Sequence, residues 1–326
     1  MHSLFYILFF SFSFSAILNV GAGQTYASIQ SAVDASTNGD IVRIAIGTYN
    51  ENILIEKSIT LTSWYTNDDG SINNNYEAYR DQTIINGSYA AFNDMVGSAI
   101  LFRSPQGQNN IDIELLALTI KGGTGTKAKI PVSINSDYKV NGKFGGGIFA
   151  YRILGKIKYN KFINNGNLEV FSGGSMYVGT DDGIEFDDRT HNNEDSFLNS
   201  RDELILSDNI YVGNFAYFGK TFEIRGYDFE IDATNSYYDV FDYTNNTVTE
   251  YWIKNIEDIQ LNFDGSNGDI PAILNDLWVS SSLGNNSNSG LSSSTPLKTI
   301  NYALSLISQD QNNPYEINVM EGNYVQ

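Results

Sequence analysis

The sequence predicts an all-β solenoid, in which short strands stack coil upon coil, and three observations carry that prediction. Apolar residues recur at strand spacing in short runs: Ile41, Val42, Ile44 and Ile46; Ile53, Ile55, Ile59 and Leu61; residues 111–120; and Phe222, Ile224, Phe229 and Ile231, which alternate with Glu223, Arg225, Glu230 and Asp232 on an expected wet face. Motifs also repeat within the chain. Gly145-Gly146-Gly147-Ile148-Phe149 returns 28 residues later, about one coil, as Gly173-Gly174-Ser175-Met176-Tyr177, and the Asn160–Asn165 motif returns 49 residues later, about two coils, at Asn209–Asn214, where Asn stacked on Asn can form a hydrogen-bonded ladder. The composition agrees: 41% apolar and 13% aromatic residues can fill a core, whereas only 17% are charged. Asn, Ser, Gly and Thr fill the surface instead, unlike the Ala, Glu, Lys and Leu of a long-helix protein.

Residues 1–22 read as a secretory signal. Residues 4–18 are a nearly unbroken apolar and Ser run, too short for a comfortable membrane span, and Val20 and Ala22 place small residues at −3 and −1 of a cut after Ala22. The expected location is therefore secreted or cell-surface. No later stretch is apolar enough to span a bilayer.

Residues 26–61 open the solenoid. Ile29, Ala32 and Val33 fall on one helical face, which predicts a short helix near residues 28–35, and Asn38-Gly39-Asp40 stops it. Two apolar strands follow, with Gly47 and Tyr49 between them. Ser28-Ile29-Gln30, Ala32, Gly39-Asp40, Val42, Gly47-Thr48-Tyr49, Glu51-Asn52, Ile53, Lys57-Ser58-Ile59 and Leu61 together resemble the N-terminal cap and first rungs of pectin-lyase-like proteins. That resemblance implies a right-handed, single-stranded parallel β-helix with a short N-terminal capping helix. It describes how a solenoid starts and is silent on chemistry.

The expected organisation is a β-helix domain over residues 23–270, a Ser/Asn/Gly-rich linker over 271–295 and the start of a second, incomplete β-helix unit over 296–326. The last follows from recurrence of the opening: Ile300 and Ala303 keep the spacing of Ile29 and Ala32, and Ile317, Val319, Gly322 and Tyr324 match Ile44, Ile46, Gly47 and Tyr49 in kind. One helix and one strand cannot bury an apolar face alone, so the native polypeptide is expected to continue. At roughly 25 residues per coil, the first domain allows about eight to ten coils, or fewer if long loops intervene. Two segments break the rhythm: residues 67–80, polar and Asn-rich, and residues 181–201, the most acidic stretch. Both read as loops thrown out between coils.

Net charge is −19, which argues against nucleic-acid binding and against an anionic membrane surface. There is no cysteine, so disulfides, thiolate metal sites and a Cys nucleophile are excluded. Asp181, Asp182, Glu185, Asp187 and Asp188 offer several carboxylates within eight residues, the oxygen donors Ca²⁺ takes. The family resemblance adds that pectate-lyase-type β-helices use Ca²⁺ between acidic side chains and an acidic sugar. The alternative, a solvated acidic loop, is the commoner role of such a run. No cofactor is otherwise required.

Asp181 and Asp182 within Gly-Thr-Asp-Asp-Gly-Ile are also similar to the Asp-Asp element of polygalacturonases, which implies acid–base hydrolysis. The other elements of that family are absent, and His191 is the only His outside the leader. A lyase base would be a Lys or Arg, for which Lys156, Lys158, Lys161, Arg189 and Arg201 are available, though nothing in their spacing selects one. The aromatic cluster contributes Tyr211, Tyr217, Tyr237 and Tyr238 as candidate sugar-stacking residues, with core filling as the alternative. The functional expectation is a carbohydrate-binding or structural and adhesive β-helix with no assignable catalytic set, whose partner is a polysaccharide or cell-surface glycan. The alternative is a Ca²⁺-dependent polysaccharide lyase or, behind it, a glycoside hydrolase.

Overall fold

The computed structural model describes residues 15–65, 73, 75–88, 97–108, 110–131, 138–180, 183–186, 189–191, 203–225, 231–238, 241–242, 247–248, 252–254, 261–263, 266–267, 275–285, 288–298, 300, 303 and 315–324. It is an all-β parallel solenoid with three faces. The chain visits them in turn. The first face stacks Ile17–Val20, Ile41–Ile44, Thr60–Ser63, Ile111–Leu116, Ile153–Lys158, Leu204–Ile205, Ile231–Asp232 and Leu261–Phe263. The second stacks Gly47–Tyr49, Thr83–Asn86, Thr119–Lys121, Lys161–Ile163, Ile210–Val212 and Tyr237–Tyr238. The third stacks Ile53–Ile55, Ile100–Arg103, Ile148–Tyr151, Met176–Gly179, Phe222–Arg225 and Trp252–Lys254. Among the described residues this makes six complete coils, fewer than a uniform 25-residue period allows, because long excursions leave the coils.

Strict register puts like residues above like. Leu18, Val42, Leu61, Leu115 and Ile157 form one buried column on the first face. Ile53, Ile100, Ile148, Met176 and Phe222 form another on the third. On the second face Ile85, Ile120, Phe162, Tyr211 and Tyr238 are aligned. The last three rings are stacked, with centroids 5.2 and 5.0 Å apart and planes within 8°. Each such side chain contributes about 1.5–3 kcal/mol by leaving water.

In the last four of these coils the corner from the first face to the second turns on one left-handed residue: Ala117, Tyr159, Asp208 and Asn235, with φ of 52°, 62°, 60° and 53°. Asn160 and Asn209 follow that residue in their coils and are stacked. Asn209 Oδ1 accepts from the Asn160 amide nitrogen at 2.9 Å, and its Nδ2 donates to the carbonyls of Ile157 and Leu206 at 2.7 Å each. Asn165 and Asn214 repeat the arrangement at the next corner, with Asn214 Oδ1 accepting from the Asn165 amide nitrogen at 3.1 Å. The expected asparagine ladder is present, but its 49-residue spacing is one coil and not two, since Lys161 pairs directly with Ile210. The acidic excursion lengthens that coil. The 28-residue glycine recurrence is also one coil, with Ile148 opposite Met176.

Helix α1 (Ile29–Ala35) follows its N-cap, Ser28. Its ends are satisfied by residues far along the chain. Glu51 accepts from the amide groups of Ile29 and Gln30 at 2.9 and 3.0 Å. Lys57 donates to the carbonyls of Val33, Asp34 and Ser36 at 2.8, 3.0 and 2.6 Å. A carboxylate at the N-terminus and an ammonium at the C-terminus oppose the helix dipole and supply the bonds that a seven-residue helix cannot. The excursion expected as a loop over residues 67–80 contains helix α2 (Tyr76–Gln82), which lies on the second face. Thr119 Oγ1 donates to the Arg80 carbonyl at 2.8 Å, and Tyr76 packs on Tyr65 and Tyr159.

A further sheet covers the third face from outside. It is built from excursions: Thr126–Pro131, Lys139–Phe144, Val170–Ser172, Ile184–Phe186 and Arg189–His191. Ala128, Ile130, Phe144, Ile184 and Phe186 on this flap pack on outward-facing Leu101, Phe149, Tyr151 and Tyr177 as a second core. The third face is thus buried on both sides. This corrects one expectation: Glu223 and Arg225 were to alternate into water, yet they are only 2% and 5% exposed.

At the C-terminal end Leu277–Val279 pairs in parallel with Ile317–Val319 around Leu277, Val279, Leu297 and Ala303. Tyr324 donates its hydroxyl to the Met320 carbonyl at 2.8 Å, as Tyr49 does to Ala45 at 2.9 Å. That aligns Val319 with Ile44 and Ile317 with Val42, two residues from the correspondence the sequence suggested.

Candidate functional site

Among the described candidates, Glu185 and Arg189 lie on the flap, and the lysines and tyrosines belong to the coils. Glu185 lies on the flap strand Ile184–Phe186, directly opposite Lys129. Lys129 Nζ reaches Glu185 Oε2 at 2.8 Å and Lys139 Nζ reaches Oε1 at 2.6 Å. The hydrogen bonds from Lys129 and then Lys139 hold the Glu185 carboxyl down at about 2. Its folded pKa lies below the unfolded value, so this pairing stabilises the flap above the ordinary glutamate pKa. The contribution fades as pH falls through about 2. Lys139→Ala is expected to raise the Glu185 midpoint toward the ordinary range in an NMR titration. An unmoved midpoint would show that the lysine pair is not the cause.

Asp181, Asp182, Asp187 and Asp188 lie outside the described residues, so only Glu185 of the acidic cluster is placed. Among the described residues no three His, Asp or Glu side chains converge as a metal-binding group. The candidate bases are paired: Lys156 lies 3.5 Å from Glu114, Lys158 3.1 Å from Asp208 and Lys161 3.7 Å from Asp81. Burial disfavours the charge on Lys158, but its hydrogen bond to Asp208 and the carboxylate charge outweigh this and raise its pKa. Arg201 lies outside the described residues, and of Arg189 only the backbone is placed, opposite Phe186.

The four candidate tyrosines divide in two. Tyr211 and Tyr238 point inward and belong to the stacked column of the core, 0% and 3% exposed. No sugar reaches a ring there, and core filling is their role. Tyr217 and Tyr237 face outward, 49% and 50% exposed. Their backbones are fixed by the coil: Tyr237 N–H donates to the Asn209 carbonyl at 2.8 Å and Tyr217 N–H to the Val170 carbonyl at 3.0 Å.

A charged group that sequence reading missed sits at the seam between flap and third face. Ser172 on the flap donates its hydroxyl to Glu223. Arg225 Nε lies 3.8 Å from Glu223 Oε1, and its Nη2 donates to the Pro131 carbonyl at 2.7 Å. Glu223 and Arg225 thereby each tie one flap strand to the solenoid. The one available signal was the Glu-x-Arg spacing inside a strand whose upstream neighbours in register, Phe149 and Tyr177, are apolar on the outward side. A scan of protein-family models, a search of the curated proteins and a search of the solved structures each found no match to this chain.

Proposed function

We propose that the chain is a secreted or cell-surface, right-handed parallel β-helix of the pectin-lyase-like kind that binds carbohydrate along its coils. In this reading α1 caps the N-terminal end, the coils up to residue 270 form the binding domain, 271–295 a linker, and 296–326 the opening of a second unit. The observation that supports the reading best is the outward, half-exposed placement of Tyr217 and Tyr237 on neighbouring coils. A large ring fixed by a rigid backbone meets the C–H face of a sugar with little loss of conformational freedom.

Affinity electrophoresis against neutral and acidic polysaccharides tests this. The native chain is expected to be retarded by at least one of them, and the Tyr217→Ala/Tyr237→Ala pair to weaken retardation about tenfold or more. Equal retardation of both chains overturns the assignment of the two rings. Release of unsaturated uronide from pectate or alginate in the presence of Ca²⁺ would instead favour the lyase reading. Asp181, Asp182, Asp187 and Asp188 would then be the first residues to replace.

A further inference from the structure

The boundary between leader and mature chain can be placed from the first strand. A cut after Ala22 would remove Ile17–Val20, yet that strand is part of the solenoid. Its four residues pair in register with Ile41–Ile44, and Leu18 and Val20 are buried in the main core. Ala45 N–H donates to the Val20 carbonyl at 2.9 Å, and Ile41 N–H to the Ala16 carbonyl at 2.8 Å. The second copy of the opening makes the same point from inside the chain. There Leu277–Val279 is the corresponding strand, Met320 N–H donates to the Val279 carbonyl at 2.9 Å, and a Val279–Leu297 bridge repeats that of Val20 with Tyr26. No leader overlaps that copy, and the strand is kept.

Upstream, Ser11-Phe12-Ser13-Phe14-Ser15-Ala16 places small residues at −3 and −1 of two cuts, one after Ser13 and one after Ser15. Asp40 distinguishes them. The residue is 6% exposed, and its carboxylate accepts from the Ala16 backbone nitrogen at 2.8 Å, the Thr37 backbone nitrogen at 2.7 Å and the Thr37 hydroxyl at 2.9 Å. The nearby ammonium of Lys57 is engaged with the carbonyls at the end of α1. A chain that begins at Ala16 carries its α-ammonium where that amide now stands, and gives the enclosed carboxylate a full counter-charge. Ser15 itself is exposed and contributes one hydroxyl bond, to the Gly39 carbonyl at 2.6 Å.

We propose that the leader is cleaved between Ser15 and Ala16 and that the new N-terminal ammonium docks on Asp40. The inference rests on the secretion reading above. The test is to express the full chain in a host with a secretory pathway and determine the N-terminal peptide of the exported protein by mass spectrometry. Ala16 is expected as first residue; Ser15→Leu abolishes that terminus and Ala22→Leu leaves it unchanged. A terminus at Phe14 or Gly23 overturns the proposal. A chain held inside the cells with Met1 still attached overturns the secretion reading, and the cut falls with it. In the exported protein the α-amine is expected to react with an amine-specific acetylating reagent about tenfold more slowly than in Asp40→Asn. Equal rates overturn the docking on Asp40.

Discussion

A Gly166→Ala chain is expected not to reach the native fold. Gly166 has φ of +77°, and an added Cβ would sit 1.8 Å from the Phe215 carbonyl oxygen of the neighbouring coil. That oxygen is held by the stack, since Gly166 and Phe215 bridge in parallel and Phe215 N–H donates to the Asn165 carbonyl at 2.8 Å. Relief requires the two coils to separate, and the cost exceeds about 4 kcal/mol, a large part of a domain's whole stability. Gly107 is the control. Its φ is +81°, but no atom lies within 4 Å of the added Cβ. Gly107→Ala therefore carries only the left-handed strain, about 1–2 kcal/mol. Soluble yield and circular dichroism of the two variants separate the effects. A folded Gly166→Ala chain with the stability of Gly107→Ala would show that the coils are not stacked as closely as this.

The second large effect is expected at the asparagine ladder. Asn209→Ala withdraws an acceptor from the Asn160 amide nitrogen and a donor from the carbonyls of Ile157 and Leu206, all inside the stack. Alanine brings no replacement and water has no access, since Asn160 and Asn209 are 0% and 1% exposed. The loss is about 3 kcal/mol or more, because each stranded buried group costs its own desolvation. Asn209→Asp restores the acceptor only and buries a charge, so it is expected to do no better. Urea unfolding midpoints measure this. A shift no larger than that of an exposed asparagine would mean that the ladder contributes nothing net.

What was legible in the sequence was what local chemistry dictates. The helix face of Ile29, Ala32 and Val33, the stop at Asn38-Gly39-Asp40 and the paired glycines all describe a few adjacent residues, and all recur in the structure. Parity was harder. Tyr237 and Tyr238 are neighbours in one strand, so one ring must point in and the other out. Which is which depends on Tyr238 lying opposite Tyr211, a contact made across the stack. The destination of the excursions was not legible. Nothing near Glu223 or Arg225 announces that strands from residues 126–131 and 170–172 will close over them. The same gap made the 49-residue spacing look like two turns of the solenoid, because an excursion adds length without adding height.

The clamp on α1 sets an order of events during folding. The helix is too short to persist alone in water, and its two end partners, Glu51 and Lys57, lie 22 and 24 residues from Ile29 and Val33. It can persist only once the chain has turned back on itself through the strands at Ile41–Ile44 and Gly47–Tyr49. Closing a loop of that size costs little entropy, and the contacts it gains are near in sequence. The opening motif is therefore expected to order early, with its edge as the template on which the next coil is laid. A polypeptide that emerges N-terminus first can then harden in the order in which it appears, without waiting for its distal end.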